Sequence, residues 1–239
     1  VRGPDYTAPT YYVGFPGSTL TRLLWLHFFI LVFALPLSTT PEHQKPSLRA
    51  LALSRRDALG ADLCRESAIR LKNVGRGALR VSAHCVSGYY AIGSEIDPAP
   101  LMQSLVDQGA RLALPVLLNR QTMVFRRWDR SQELVPVGFG TLGPDADQPE
   151  VLPDLVIAPL AAFSATGQRI GYGKGHYDRA LSKMHAAGHK PALVGLAFDE
   201  QECPSFPVED HDISLDGVLT PSELRIFEHG RDALEPFLS

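Results

Sequence analysis

One stretch limits the folds open to this chain more than any other. An apolar run, a glycine-rich loop and a helical pattern follow one another over residues 155–188. Leu155-Val156-Ile157-Ala158-Pro159 has the length of a buried strand, and His176 to Ala187 reads as a helix closed by Gly188. The loop lies within Thr166–Arg179, where Gly171, Gly173 and Gly175 fall at alternate positions. Glycines there let the backbone turn and approach a ligand with no Cβ in the way. Such a loop points successive N–H groups into one concavity, and the helix start behind it adds partial positive charge. Arg169 and Lys174 bring full charges to the same place. The pattern suits a phosphate chain; a tight surface turn with solvated charges is the plain alternative.

The spacing separates this loop from better-known ones. No G-x-x-x-x-G-K-[ST] run is present, and G-x-G-x-x-G fails because the third glycine falls at 175, with His at 176. Elsewhere, Val81–Val86, Leu112–Leu117, Met123–Trp128 and Ala192–Phe198 read as strands. Helical patterns cover Lys45–Arg56, with Leu48, Leu51 and Ala52 on one face, and Ala61–Lys72, which Gly75 and Gly77 are expected to end. A further helix begins at Pro98 behind Asp97 as cap and stops at Gly109. Residues 134–144 read as an irregular loop and 221–238 as a partly helical tail. Strands alternating with helices imply an α/β fold: three layers, an open, mostly parallel Rossmann-like sheet with helices on both faces. That arrangement puts Tyr90 and Glu95, which follow a strand, at the carboxyl edge where open α/β sheets bind ligands.

Composition excludes several functions. The net charge of −3, without a basic stripe, gives no case for nucleic-acid binding. Cys64, Cys85 and Cys203 form no C-x-x-C pair and suit buried thiols in a reducing compartment. His185 and His189 have zinc-like spacing, but Gly188 interrupts their helix and no further ligand accompanies them. No nucleophile elbow occurs. Residues 1–43 differ from the rest: an apolar block over 23–35, too short for an ordinary spanning helix, follows a Gly-, Pro- and Tyr-rich segment. The first Met is Met102. An over-extended or non-native leader is the expectation for 1–43, with the domain proper over 44–239; a real export or anchoring segment is the alternative.

The run Arg169-Ile170-Gly171-Tyr172-Gly173-Lys174-Gly175-His176-Tyr177-Asp178, preceded by Pro159-Leu160-Ala161-Ala162-Phe163, resembles the signature of the 5-formyltetrahydrofolate cyclo-ligase family. The resemblance extends from about Lys45 to about Thr220; His176 departs from it, standing where an aromatic residue is usual. It implies conversion of 5-formyltetrahydrofolate to 5,10-methenyltetrahydrofolate with ATP and Mg²⁺, in a cytoplasmic, monomeric ligase without stable membrane association. By the same resemblance Lys45 and Arg49, which alone read as a solvated helix face, reach ATP phosphates together with residues 169–177. Arg169 and Lys174 take the catalytic role of neutralising charge. Tyr90 and Glu95, otherwise an ordinary loop aromatic and acid, contact the folate with Tyr172, Gly173, Lys174, Gly175 and His176. Asp178 and Asp212 serve Mg²⁺. Phe139 is a further candidate folate contact, and Met123 and Trp128 are candidates for an aromatic-binding wall with core packing as the default. Which of Tyr172, Lys174 and His176 faces folate and which faces ATP stays open. A non-catalytic folate- or nucleotide-binding protein on the same fold is the competing reading, and an ATP-independent isomerase or acyl-transferase is a third.

Overall fold

The structure is a computed structural model describing residues 41–239 except 139, 204, 205, 207 and 210. The expectations for the apolar block over 23–35 and for Phe139 lie outside the described residues. Residues 40–239 make one compact unit.

In chain order, helices α1 (Pro41–Asp57) and α2 (Ala61–Ala78) lead to strand β1 (Cys85–Ser87), helix α3 (Ala99–Asp107) and the hairpin β2 (Arg111–Leu117) and β3 (Met123–Trp128). A small hairpin follows, β4 (Val135–Pro136) and β5 (Leu142–Gly143). Then come β6 (Leu155–Pro159), β7 (Ala162–Ser164), β8 (Arg169–Ile170), helix α4 (His176–Ala186) and β9 (Ala192–Leu196). The chain closes with β10 (Glu202–Cys203), β11 (Gly217–Leu219), β12 (Leu224–Ile226) and helix α5 (Arg231–Leu234).

The main sheet has the order β12-β11-β9-β6-β1-β2-β3, parallel inside and antiparallel at both edges. Alternation along β6 shows the layers. Leu155 and Ile157 pack into a core with Leu71 of α2 and Leu101 and Leu105 of α3, while Val156 and Ala158 pack with Leu181 and Met184 of α4. The chain leaves β1 toward β2 in one direction and leaves β6 toward β9 in the other. Right-handed crossovers therefore put α3 and α4 on opposite faces. The expected three-layer, mostly parallel α/β fold is the one observed.

Several local readings change: residues 134–144 hold the β4–β5 hairpin, and β1 begins only at Cys85, after a turn at Ser82–Ala83. Helix α2 runs through Gly75 and Gly77 to Ala78. A Cβ on Gly75 would stand 2.5 Å from Leu101 Cδ1, so this glycine admits α3 at close range rather than ending the helix. Leu51 lies 49% exposed on α1, and the packed face is centred on Ala52. The tail supplies β12, an antiparallel edge strand, as well as a short helix. Finally, β6 does not lead straight into the glycine loop. The hairpin β7–β8 intervenes, Thr166 and Gly167 form its turn, and the loop proper is 171–175.

Candidate active site

The two loops that leave β1 and β6 diverge, because those neighbouring strands feed connections running in opposite directions. The gap opens at the carboxyl edge of the sheet, where such a switch point leaves room for a ligand. A cavity of about 560 Å³ fills it. Lys45, Arg49, Tyr90, Glu95 and all of residues 169–178 line it, as does Asp212. Apart from Phe139, which lies outside the described residues, the residues singled out for phosphate, folate or metal are thus brought to one place. Met123 joins them, with Leu117, Leu142 and Pro159 as further apolar wall; Trp128 instead packs against the α2–α3 core.

Helix α1 arranges the side expected to take phosphate. Lys45, Arg49 and Arg56 are spaced four and then seven residues apart, which stacks them along one face. Lys45 Nζ donates to Asp212 Oδ2 at 2.5 Å and lies 3.5 Å from Glu209. Arg49 Nε donates to the Gly171 carbonyl at 2.7 Å, and Arg56 Nη1 to the Tyr172 hydroxyl at 2.8 Å. The glycine loop is therefore gripped at two consecutive residues. Gly173 and Gly175 have φ of +81° and +61°, which an L side chain adopts only with strain. A Cβ on Gly173 would also press the Arg49 guanidinium at 3.2 Å. Gly173→Ala is expected to cost ~1 kcal/mol of stability through the backbone alone. Because the loop must shift against Arg49, the variant should also weaken the nucleotide binding that the resemblance implies, about 10-fold by calorimetric titration with an ATP analogue.

Two ion pairs face the opening. Arg169 Nη2 donates to Asp178 Oδ1 at 2.6 Å, and the Ile213 N–H donates to the same oxygen at 3.2 Å. Asp212 Oδ2 also accepts the Glu209 N–H at 2.8 Å. Burial pushes the Asp212 carboxyl up, but the Lys45 and Glu209 bonds outweigh it and leave the group below its ordinary value. The pair expected to serve a metal is thus brought into one wall, each acid already held by a cation. Donor atoms of Glu209, His211 and Asp212 lie within 4.8 Å of one another, a set whose carboxylate oxygens fit a hard divalent ion. Glu209 and His211 were not singled out in the sequence; the Glu-x-His-Asp spacing at 209–212 was their signal. Lys174 differs from the other cavity cations. It is exposed and, among the described residues, has no hydrogen-bond or ion-pair partner.

The other side of the cavity is half apolar and half polar. Glu95 is 8% exposed; its Oε2 accepts the Ile92 N–H at 2.8 Å, while its Oε1 is buried with no hydrogen-bond partner among the described residues. The Tyr177 hydroxyl is likewise buried without a partner, its ring held edge-on to Phe125. Burial raises the Glu95 carboxyl above its usual value, with the Tyr172 hydroxyl, the Ile92 N–H and the Arg56 charge opposing. His176 lines the cavity while its Nε2 meets the Arg120 carbonyl at 3.0 Å, and Arg179 Nε donates to Gln121, so α4 also secures the β2–β3 turn. Of the histidines weighed for zinc, His189 bonds the Pro153 carbonyl at 2.7 Å.

Residues 41–221 match the family model described as the 5-formyltetrahydrofolate cyclo-ligase family. The chain belongs to that family. The cyclo-ligase of Escherichia coli K12 is 37% identical over 150 residues, covering 60% of this chain and 81% of its own. That of Mycolicibacterium smegmatis is 30% identical over 188 residues, covering 74% and 93%. Among solved structures, the 5,10-methenyltetrahydrofolate synthetase of Aquifex aeolicus superposes with a TM-score of 0.63 at 26% identity, over 77% of this chain and 93% of that one. The cyclo-ligase signature falls on the loop that Arg49 and Arg56 hold, in the cavity.

Proposed function

We propose that this cavity holds a reduced folate against the phosphates of ATP and converts 5-formyltetrahydrofolate to 5,10-methenyltetrahydrofolate, releasing ADP and phosphate. Membership of the cyclo-ligase family makes the protein a ligase of folate one-carbon metabolism. The observation that carries the finer reading is the division of one cavity: a glycine loop with the unpartnered Lys174 on one wall, and the unsatisfied Glu95 and Tyr177 oxygens on another.

The chemistry asks for both walls. An N-formyl group is amide-like, a poor electrophile whose oxygen is a poor leaving group. Phosphorylation of that oxygen by the γ-phosphoryl group, with ADP leaving, turns it into a good one. N10 then attacks the formyl carbon, the C–O bond breaks, phosphate departs and the five-membered ring is closed. No protein nucleophile is needed, so the protein's contribution is alignment and charge stabilisation. Loop N–H groups with Lys174, Arg169, Arg49 and Lys45 neutralise the phosphates. Glu95 Oε1 accepts N–H groups of the pterin, and Tyr90 flanks it. Leu117, Met123, Leu142 and Pro159 keep water from the activated formyl group. Asp212, with Glu209 and Asp178 beside it, would hold Mg²⁺, which when bound adds charge neutralisation at the phosphates. A monomer in the cytoplasm accompanies this reading; the three cysteines are free thiols, as a reducing compartment keeps them. Among the described residues no helix is long and apolar enough to cross a membrane.

The test is near-ultraviolet absorbance of methenyl-folate with purified protein, 5-formyltetrahydrofolate, ATP and Mg²⁺. Growth only in the complete mixture is expected. Growth without ATP, or none from folded protein that binds both ligands, would overturn the reading in favour of an isomerase or of a non-catalytic binder.

A further inference from the structure

Arg56 is a buried cation whose role the phosphate and folate assignments leave unexplained. It is 4% exposed and, among the described residues, no carboxylate lies within 4 Å of it. A buried guanidinium without an ion pair is costly unless its donors are met. Three neutral oxygens meet them: Ser94 Oγ at 3.0 Å, the Leu160 carbonyl at 3.4 Å and the Tyr172 hydroxyl at 2.8 Å. Its carbon also sits 5.7 Å from the centre of the Tyr172 ring. Three separate walls of the cavity are therefore tied to one charge: the segment after β1, the end of β6 and the glycine loop.

The direction of the hydrogen bonds follows from the groups. Arginine only donates, an ionised carboxylate only accepts, and a phenol does both. The Tyr172 hydroxyl accepts from Arg56 at 2.8 Å, and Ser94, whose hydroxyl also accepts from Arg56, immediately precedes Glu95. One guanidinium thus holds the glycine loop and the segment that carries Glu95 together. Glu95 Oε2 is occupied by the Ile92 N–H, and Oε1 stands without a partner in the cavity lining.

We propose that Arg56 is a positioning residue of this site: by donating to the Tyr172 and Ser94 hydroxyls it holds the glycine loop against the segment that carries Glu95, leaving Glu95 Oε1 to receive ligand N–H groups. The ligand half of this inference rests on the folate reading above; the geometric half does not. Arg56 does not line the cavity, so its loss acts through Tyr172 and the Ser94–Glu95 segment.

The experiment compares Arg56→Met, Arg56→Lys, Tyr172→Phe and the Arg56→Met/Tyr172→Phe pair, with the exposed Arg55→Met as control. Hydrogen exchange of the ligand-free protein is read first. Exchange over 169–175 should rise in Arg56→Met and stay at the wild-type level in Arg55→Met. Unchanged exchange in a folded Arg56→Met would overturn the inference whatever the ligand. Steady-state kinetics are read second. KM for 5-formyltetrahydrofolate should rise about 10-fold in Arg56→Met and in Tyr172→Phe, no further in the double variant, and be partly restored in Arg56→Lys, with KM for ATP changed less than 3-fold. Multiplying effects, or equal shifts in both KM values, would mark Arg56 as merely structural and overturn the proposal. The acid limb of kcat/KM should move to higher pH in Arg56→Met. The groups facing Glu95 are Arg56, Tyr172, Tyr89 and Tyr177, and of these only Arg56 carries a charge opposing its protonation. Wild-type protein that neither binds nor turns over the folate would overturn the proposed function, and the exchange comparison would then decide the role of Arg56. If Arg56→Met fails to fold, Tyr172→Phe and Arg56→Lys carry the same two readouts.

Discussion

Lys174→Ala is expected to lose about 10³-fold in kcat while folding and melting as the wild type does. The two halves of that expectation share one cause. Lys174 is exposed and has no partner among the described residues, so removing its side chain breaks no bond that holds the structure. The other cavity cations are already engaged: Lys45 with Asp212, Arg49 with the Gly171 carbonyl and Arg169 with Asp178. Using any of those on a phosphate means first giving up a bond, whereas Lys174 is available at once. It stands between two glycines on a loop held by Arg49 and Arg56, so its charge is delivered with little reorganisation. Lys174→Arg should recover part of the loss, since it restores charge with a planar fork in place of a compact ammonium. The measurement is kcat and both KM values for the two variants, beside their melting curves. A folded alanine variant with normal turnover would remove Lys174 from the chemistry and, with it, the assignment of the loop to the transferring phosphoryl group.

How far the sequence reached depends on whether information was local. The strand Leu155–Pro159, the glycine loop and α4 each rest on residues within a turn or two of one another, so all three were legible, whereas the β7–β8 hairpin between strand and loop was not. Helix α2 was not fully legible because Gly75 ends a helix by propensity and continues one only when α3 packs closely against it. Strand β12, three half-buried residues, exists by pairing with β11, and no short-range pattern announces it. The site shows the same division. Lys45 and Arg49 share a helical face by spacing, and Arg56 continues that face two turns on, but only the fold reveals that it ends beneath Tyr172. Lys45 and Asp212 meet across 167 positions of sequence. The family resemblance supplied Asp212 and left Glu209 and His211 unnamed, because their nearness to it is a product of one short turn.

Glu95→Gln tests the other wall, and its expected effect is a loss of about 10²-fold in kcat/KM for 5-formyltetrahydrofolate. The wild-type Oε1 is a buried acceptor with no partner among the described residues, a cost the fold carries and a donor-rich ligand edge would relieve. Glutamine keeps the shape but offers one acceptor oxygen and an NH₂ group, so its NH₂ now opposes either the ligand N–H or the Ile92 N–H that Oε2 accepts in the wild type. Affinity for ATP, which the proposed function assigns to Lys45, Arg49, Arg169 and Lys174 and not to Glu95, should change little. The pH profile adds a sign. Burial raises the Glu95 carboxyl above its ordinary value, so as pH falls it takes a proton sooner than an exposed glutamate would. Its protonated form loses an acceptor, and kcat/KM for the folate should fall along an acid limb set by that raised value. Glutamine cannot titrate; its profile should lack the limb and run low and flat. By linkage the same shift acts on stability in the opposite direction to binding. A carboxyl raised on folding stabilises the fold at pH below its unfolded value, and that contribution is lost as pH rises through the folded one. Free wild-type protein should therefore give up part of its stability on passing from acid toward neutral pH, and bound folate should restore it. Melting curves across that range with and without the folate would show both. A pH-independent ligand effect, or a glutamine variant with normal folate kinetics, would take Glu95 out of substrate recognition.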